Sequence, residues 1–386
     1  MPHGALKWGR VEQSNTHNST QLYLGRHNLT DGSFKNAPHI KVSGVLIDGD
    51  LIALMPANQI TLLTPNLSKR SAGSKAWSEH QKWHEFLGYI RVFFKEKHFQ
   101  EVKTPILVTC PGTEPNLEVF ETYFKLGAKT IKYFLSTSPE LNLKKLLAEG
   151  AEKIFEIAPV FRNGEKTNRH APEFTMLEWY RAFAGLNSIK MDSIELIEAM
   201  AGHLKVDGPK EVLTFTVAEL FKKHCNFDLK PETSMAELKK LAEMLSVDVD
   251  AATCIDDYFY LIFIDKIENK WAQDQLVFVE KYPPYQAALA RIGADGWAER
   301  FEVYWRGFEL GNAFHELNDP ALQKQRALED LKKKKAQAKT EINLDAQFFA
   351  ALEFGLPPSA GIALGLERLY MALRNLNEIS DLKRIY

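Results

Sequence analysis

The stretch Phe161-Arg-Asn-Gly-Glu-Lys-Thr-Asn-Arg-His-Ala-Pro-Glu-Phe-Thr-Met-Leu-Glu-Trp-Tyr180 reads as strand, cationic loop, strand. Period-2 alternation puts Phe174, Met176, Glu178 and Tyr180 on one face of the return strand. Arg162 stands at the end of the opposite strand, and the loop adds Lys166, Arg169 and His170. Arginine binds phosphate through parallel charge-assisted hydrogen bonds, and a phenylalanine face stacks on a planar base. An amphipathic hairpin with a solvated tip would share most of this pattern. The glutamate between Met176 and Tyr180 argues against it, because a carboxylate on a semi-buried face costs free energy unless it has a partner.

The rest of the chain sets limits. Its 386 residues suffice for one large domain with an appendage, and a formal charge of −2 is not that of a dedicated polyanion binder. Cys110, Cys225 and Cys254 are odd in number and far apart, which gives neither a disulfide framework nor a zinc pattern. No apolar run has the length of a membrane span, and Met1 to Asn18 is too polar for a signal peptide. The expected compartment is the cytoplasm.

Residues 1–75 are expected to form a small β-rich segment. Asp48-Gly49 between Ile40–Ile47 and Leu51–Leu54 is a hairpin signal, Ile60–Leu63 a further strand, and Ser68–Ser74 a linker. Eight basic against four acidic side chains make this segment net positive. A catalytic domain is expected over 76–386. It begins with a helix from Trp77 to Lys97, whose apolar residues Trp83, Phe86, Leu87, Ile90, Phe93 and Phe94 recur at helical spacing until Pro105 enforces an extended segment. Helical runs near Met191–Leu204, Met235–Leu245 and Tyr258–Trp271 read as scaffold, and Lys332–Lys335 as a solvated helix face.

Four more blocks flank the central hairpin in order: Phe99–Leu107, Thr137-Ser138-Pro139-Glu140-Leu141, Glu309–Asp319 and Gly361–Leu369. With Phe161–Tyr180 they resemble motif 1, the amino-acid loop, motif 2, the acidic strand and motif 3 of the class II aminoacyl-tRNA synthetases in their lysyl form. The resemblance covers about residues 77–372. It implies an α+β fold, an antiparallel sheet flanked by helices, and a homodimer through motif 1.

The resemblance also implies ATP and Mg2+. Arg162 matches the arginine on the α-phosphate and Arg368 the one near the γ-phosphate; Phe174 matches the ring stacked on adenine, with Arg368 over the same plane. Asn163, Gly164, His170, Glu309, Leu310 and Gly365 complete the implied ATP set, Gly365 where backbone passes close to the nucleotide. Glu140, Glu178, Tyr180, Asn312 and Glu316 match the amino-acid pocket, whose carboxylates suit a diamino acid of the lysine type, with Ser138 and Pro139 shaping the loop and Ala363 beside it. Glu309, and with it Glu316, are the implied metal ligands. Arg306-Gly307 reads as a hairpin turn before both glutamates. Their seven-residue spacing points them to opposite faces of a regular strand, and an irregularity at Gly311-Asn312 would bring them together.

Two positions depart from motif 2. Gly164 stands where a glutamate is usual, with Glu165 one place later, so a shifted loop would be needed to restore that carboxylate; Ala171 replaces a usual asparagine. The 75 residues before the blocks are fewer than an anticodon-binding barrel requires. A paralogous family without that barrel, the elongation factor P–(R)-β-lysine ligases, resembles the chain more closely in Phe301–Tyr304, Phe314–Leu317 and Glu178–Arg181, and in Ala363, where synthetases usually carry glycine. That resemblance implies ATP-dependent activation of (R)-β-lysine or lysine and transfer to elongation factor P in place of tRNA. A compact lysyl-tRNA synthetase and an inactive regulatory paralogue are the alternatives; the retained Arg162 and Arg368 speak against the second.

Overall fold

The computed structural model describes residues 75–382 apart from 251, and the backbone of seven strands between Lys7 and Leu62. Its contacts divide the chain into two units, Met1–Lys82 and Trp83–Tyr386. In the first, β1 (Lys7–Gln13), β2 (Thr20–Leu24), β3 (His27–Asp31), β4 (His39–Val42) and β7 (Thr61–Leu62) form a sheet in the order β3-β2-β1-β4-β7. β5 (Gly44–Ile47) and β6 (Asp50–Ala53) pair antiparallel with Ile47 opposite Asp50, the register that a two-residue Asp48-Gly49 connection predicts. The expected linker at Ser68–Ser74 lies outside the described residues.

Helix α1 (Lys75–Glu96) leads into β8 (Gln100–Glu101), β9 (Leu107–Val108), β10 (Glu121–Leu126) and β11 (Lys129–Leu135). Then come α2 (Glu140–Ala148), β12 (Lys153–Phe161), β13 (Glu173–Ala182), α3 (Leu186–Leu204), β14 (Glu211–Thr216), α4 (Val217–Cys225), α5 (Met235–Met244) and α6 (Ile255–Lys266). The chain continues through β15 (Gln275–Tyr282), β16 (Ala298–Trp305), β17 (Phe308–His315), α7 (Pro320–Ala336), α8 (Ala346–Gly355), β18 (Ser359–Gly365) and α9 (Leu366–Arg374). Among the described residues the second unit is built on a sheet in the order β14-β15-β16-β17-β18-β13-β12-β8, antiparallel except at the β14–β15 and β12–β8 pairs. The α+β expectation holds.

Alternation along β13 separates the two faces of this sheet. Leu177 and Trp179 are fully buried in the main core with Phe86, Ile90 and Phe94 of α1 and Leu369 and Tyr370 of α9. The stripe that the resemblance assigns to a dimer contact therefore has its most buried residues packed inside this chain. The opposite face carries Phe174, Met176, Glu178 and Tyr180, as the period predicts. Across it Glu302, Asn312, Ala363, Glu178 and Glu156 stand in one row over β16, β17, β18, β13 and β12.

Two sequence readings need correction. The irregularity in β17 lies at Leu310, not at Gly311-Asn312: Tyr304 pairs with Glu309 and Val303 with Gly311, which leaves Leu310 as the extra residue. Its effect is the expected one, since Glu309, Asn312, Phe314 and Glu316 then share a face. The lysine run is not wholly solvated either. Lys334 is buried, and its ammonium donates to the carbonyls of Glu114 (3.1 Å) and Leu117, while Lys339 donates to Pro115 O at 2.8 Å. Among the described residues no helix is long and apolar enough to cross a membrane.

Candidate active site

A cavity of about 290 Å³ opens on the polar face of the sheet. Its wall includes Ser138, Glu140, Arg162, His170, Phe174, Glu309, Leu310, Asn312, Ala363, Gly365 and Arg368 of the residues expected from sequence. Pro139, Asn163, Gly164, Glu178, Tyr180 and Glu316 are not on that wall. Pro139 is the N-cap of α2, and Asn163 N–H donates to Glu118 O at 3.0 Å. Glu178, Tyr180 and Glu316 are almost fully buried.

One end is cationic. Arg162 follows β12 directly, its guanidinium 5.2 Å from the centre of the Phe174 ring. Its Nε is buried without a hydrogen-bond partner, as is Asn312 Oδ1 on the same wall, so both are available to a ligand. Arg368, on the first turn of α9, donates to Glu309 O at 2.8 Å and lies beside His170 Nε2. Arginine has no acceptor, so His170 accepts at Nε2, carries its proton on Nδ1 and donates to Thr167 Oγ1 at 2.8 Å. Burial and the charge of Arg368 hold this imidazole below the ordinary histidine range.

The motif 2 loop is tied down on two sides. Arg169 donates to Gly307 O at 2.7 Å in the β16–β17 turn and covers the Phe308 ring, and Asn168 O accepts from Ile379 N at 2.8 Å. Gly164 has φ +80, a conformation that favours glycine, and the next residue, Glu165, reaches the cavity wall. The one-residue displacement thus brings a carboxylate to the cavity after all. Ala171 also lines it.

The other end is anionic and deep. Ser138 Oγ donates to Glu178, whose second oxygen accepts from Tyr180 Oη at 3.2 Å. Burial, and then Glu140, push the Glu178 carboxyl well above the usual range. Lys144, four residues after Glu140 on α2, has a side chain only 1% exposed; its Nζ lies 2.6 Å from Glu140 Oε1 and 2.6 Å from Glu316 Oε2. Burial pulls its ammonium down, but the two carboxylates outweigh that and hold it above the ordinary lysine range. Burial pushes Glu316 up to about 8 against the pull of Lys144.

Sequence reasoning missed four contributors. Lys144 could have been found from its i, i+4 spacing to Glu140. Glu367 was legible only as part of motif 3; it accepts twice from Thr175 N at 2.9 Å and so joins α9 to β13. Glu114 and Asp330 also line the cavity and carried no signal. Burial raises the Glu114 carboxyl, assisted by Glu140, and raises Asp330 to about 6 against Lys333.

The fit to a nucleotide is good on the cationic side: a ring face, two arginines, an unpartnered Nε and, on the same wall, the carboxylate of Glu309, which would hold a metal ion there. The fit of Glu316 to a metal is poor, because its carboxylate is already paired with Lys144 and does not reach the wall where Glu309 stands. Among the described residues no cluster of three or more His, Cys, Asp and Glu side chains is arranged to hold a metal ion.

Comparison with known proteins agrees with this geometry. Residues 73–384 match the family of class II tRNA synthetases (D, K and N). The elongation factor P–(R)-beta-lysine ligase of Hamiltonella defensa is 35% identical over 298 residues, 76% of this chain and 90% of that protein. The Haemophilus influenzae ligase is 35% identical over 308 residues, 78% of this chain and 93% of that protein. The lysine–tRNA ligase of Buchnera aphidicola subsp. Cinara cedri is also 35% identical, over 78% of this chain but only 62% of that protein. The chain belongs to the class II tRNA synthetase family, in its branch of elongation factor P–(R)-beta-lysine ligases.

Proposed function

We propose that the protein activates (R)-β-lysine with ATP and transfers the acyl group to a lysine side chain of elongation factor P. One observation carries the choice over tRNA charging: the relatives of which the chain covers about nine-tenths are elongation factor P–(R)-beta-lysine ligases. Glu140 on the cavity wall, with Glu178 and Glu316 behind it, supports a substrate with a distal amine.

In the first half-reaction a carboxylate oxygen of the amino acid attacks the α-phosphorus, and the bond to pyrophosphate breaks. Arg162 is assigned to the α-phosphate oxygens, where its unpartnered Nε stabilises the charge that develops, and Arg368 to the departing pyrophosphate end. Neutral His170 accepts from Arg368 and so holds that guanidinium. Phe174 offers a face to the adenine. Glu309 is assigned to Mg2+, which when bound neutralises phosphate charge; Glu140 and Asn312, which reach the wall, are assigned to the substrate ammonium, with Glu316, Glu178 and Tyr180 as the polar groups behind them. In the second half-reaction the acceptor amine attacks the acyl carbon and AMP leaves.

ATP–pyrophosphate exchange with lysine and both β-lysine enantiomers, followed by acyl transfer to elongation factor P and to tRNA, tests this reading. Exchange is expected to favour (R)-β-lysine, with transfer to the protein acceptor. Anticodon-dependent tRNA charging without acylation of elongation factor P would overturn it. A cytoplasmic location goes with this reading, since the proposed acceptor is a translation factor. A homodimer is proposed as well, supported by the exposed apolar side chains Leu107, Tyr123, Phe124, Leu126 and Ile131 on β9–β11, and sedimentation over the micromolar range checks it.

A further inference from the structure

Lys144 is not among the groups that the proposed chemistry uses, yet it is buried directly behind the cavity wall, against Glu140. Its neighbours Leu143 and Leu147 on α2 are core residues, and an apolar side chain there would pack without desolvating a charge. Instead an ammonium is buried between Glu140 and Glu316, 2.6 Å from each. Glu140 reaches the cavity wall, and Glu178 stands close behind it with Ser138 and Tyr180 as donors. Three carboxylates against one resident ammonium leave two formal negative charges when all are ionised. A diamino acid carries two ammoniums, and its one carboxylate is the group directed to the Arg162 end.

We propose that Lys144 is a built-in counter-ion, a positioning residue that fixes Glu140 and Glu316 and sets the charge of the pocket to match a diamino acid. This rests on the reading of those carboxylates as the receptor for the substrate amine. It predicts an unusual pattern of substitutions. Glu316→Gln leaves one formal negative charge, and Lys144→Met leaves three in a buried site. The double variant Lys144→Met with Glu316→Gln restores two, carried by Glu140 and Glu178. Each single change is therefore harmful, and together they compensate.

The test is ATP–pyrophosphate exchange on the full chain with (R)-β-lysine and ATP titrated separately. Each single variant is expected to raise the amino-acid KM by at least about tenfold with little change in the KM for ATP. The double variant is expected to lie at least about threefold below both singles. A role in packing alone gives additive or worse effects in the double. If Lys144→Met does not fold, the double against Glu316→Gln decides, since removing the lysine must then improve binding. A double variant no better than Glu316→Gln overturns the proposal. Glu140→Gln in the unaltered background separates the two levels. If it and Glu316→Gln leave the diamino acid KM unchanged, the carboxylate receptor itself falls. If they raise it and the double fails to compensate, only the assignment of Lys144 falls.

Discussion

Gly361 is where packing and recognition meet. It lies on β18 in register with Tyr180 of β13 and Phe314 of β17. A Cβ added there would stand 2.2 Å from Tyr180 Cε1 and 2.3 Å from Cδ1, closer than any real contact. Tyr180 is 3% exposed, so its ring has no free space to enter, and its hydroxyl is a donor to Glu178 at 3.2 Å. Gly361→Ala should therefore act twice. Overpacking costs about 1–3 kcal/mol. In a unit of this size that corresponds to a fall in Tm of about 1–2 °C per kcal/mol. Moving the hydroxyl off Glu178 removes a hydrogen bond to a buried carboxylate, about 1–2 kcal/mol, and so raises the amino-acid KM roughly five- to thirtyfold. Arg162, Arg368 and Phe174 are untouched, so the KM for ATP should stay within about twofold. Thermal scans and exchange kinetics with each substrate varied in turn measure both effects. Tyr180→Phe, which keeps the ring, should reproduce the shift in KM with a smaller fall in Tm. An unchanged Tm and KM in Gly361→Ala would refute the locked ring; parallel loss of ATP and amino-acid affinity would show general damage to the sheet instead.

Arg162→Ala should lower pyrophosphate exchange at least about a hundredfold, on the order of 3 kcal/mol, in a folded protein, and near-normal exchange would remove Arg162 from the chemistry. Ala363→Gly, which deletes the methyl group between Asn312 and Glu178 in the sheet register, should shift the preference between (R)-β-lysine and α-lysine by about tenfold, within the roughly 1–3 kcal/mol a methyl supplies; equal ratios in both proteins would exclude it as a selector. The Glu316 carboxyl, raised from 4.5 to about 8, favours the ligand-free fold below pH 4.5 and loses that contribution as pH rises through 8. A bound diamino acid favours the ionised form, so binding releases protons. Its thermal stabilisation should grow from about pH 6 to about pH 8, and a flat or falling profile would contradict the assignment.

What the sequence disclosed and what it concealed divide along a physical line. The face of Phe174, Met176, Glu178 and Tyr180 depends on strand period alone, and the Arg306-Gly307 turn on local conformation, with φ 51 and 76. The position of the bulge was displaced, because register belongs to the partner strand β16 and cannot be read from β17. Lys334 was misread as solvated because four consecutive helical residues sweep about 300° around the axis, so one of Lys332–Lys335 faces inward whatever its charge. The backbone of Glu114 and Pro115 is held by Lys334 and Lys339, more than 200 residues away in sequence, and no local pattern announces such a contact.

The burial of Lys144 also bears on chemical safety. An acyl-adenylate is a mixed anhydride, and any free amine near it is a competing acceptor. An ammonium gripped by two carboxylates holds its proton and has no lone pair to attack with. The lysine buried behind the amine end of the cavity is thereby kept silent, and the acyl group is left for an amine that arrives from outside.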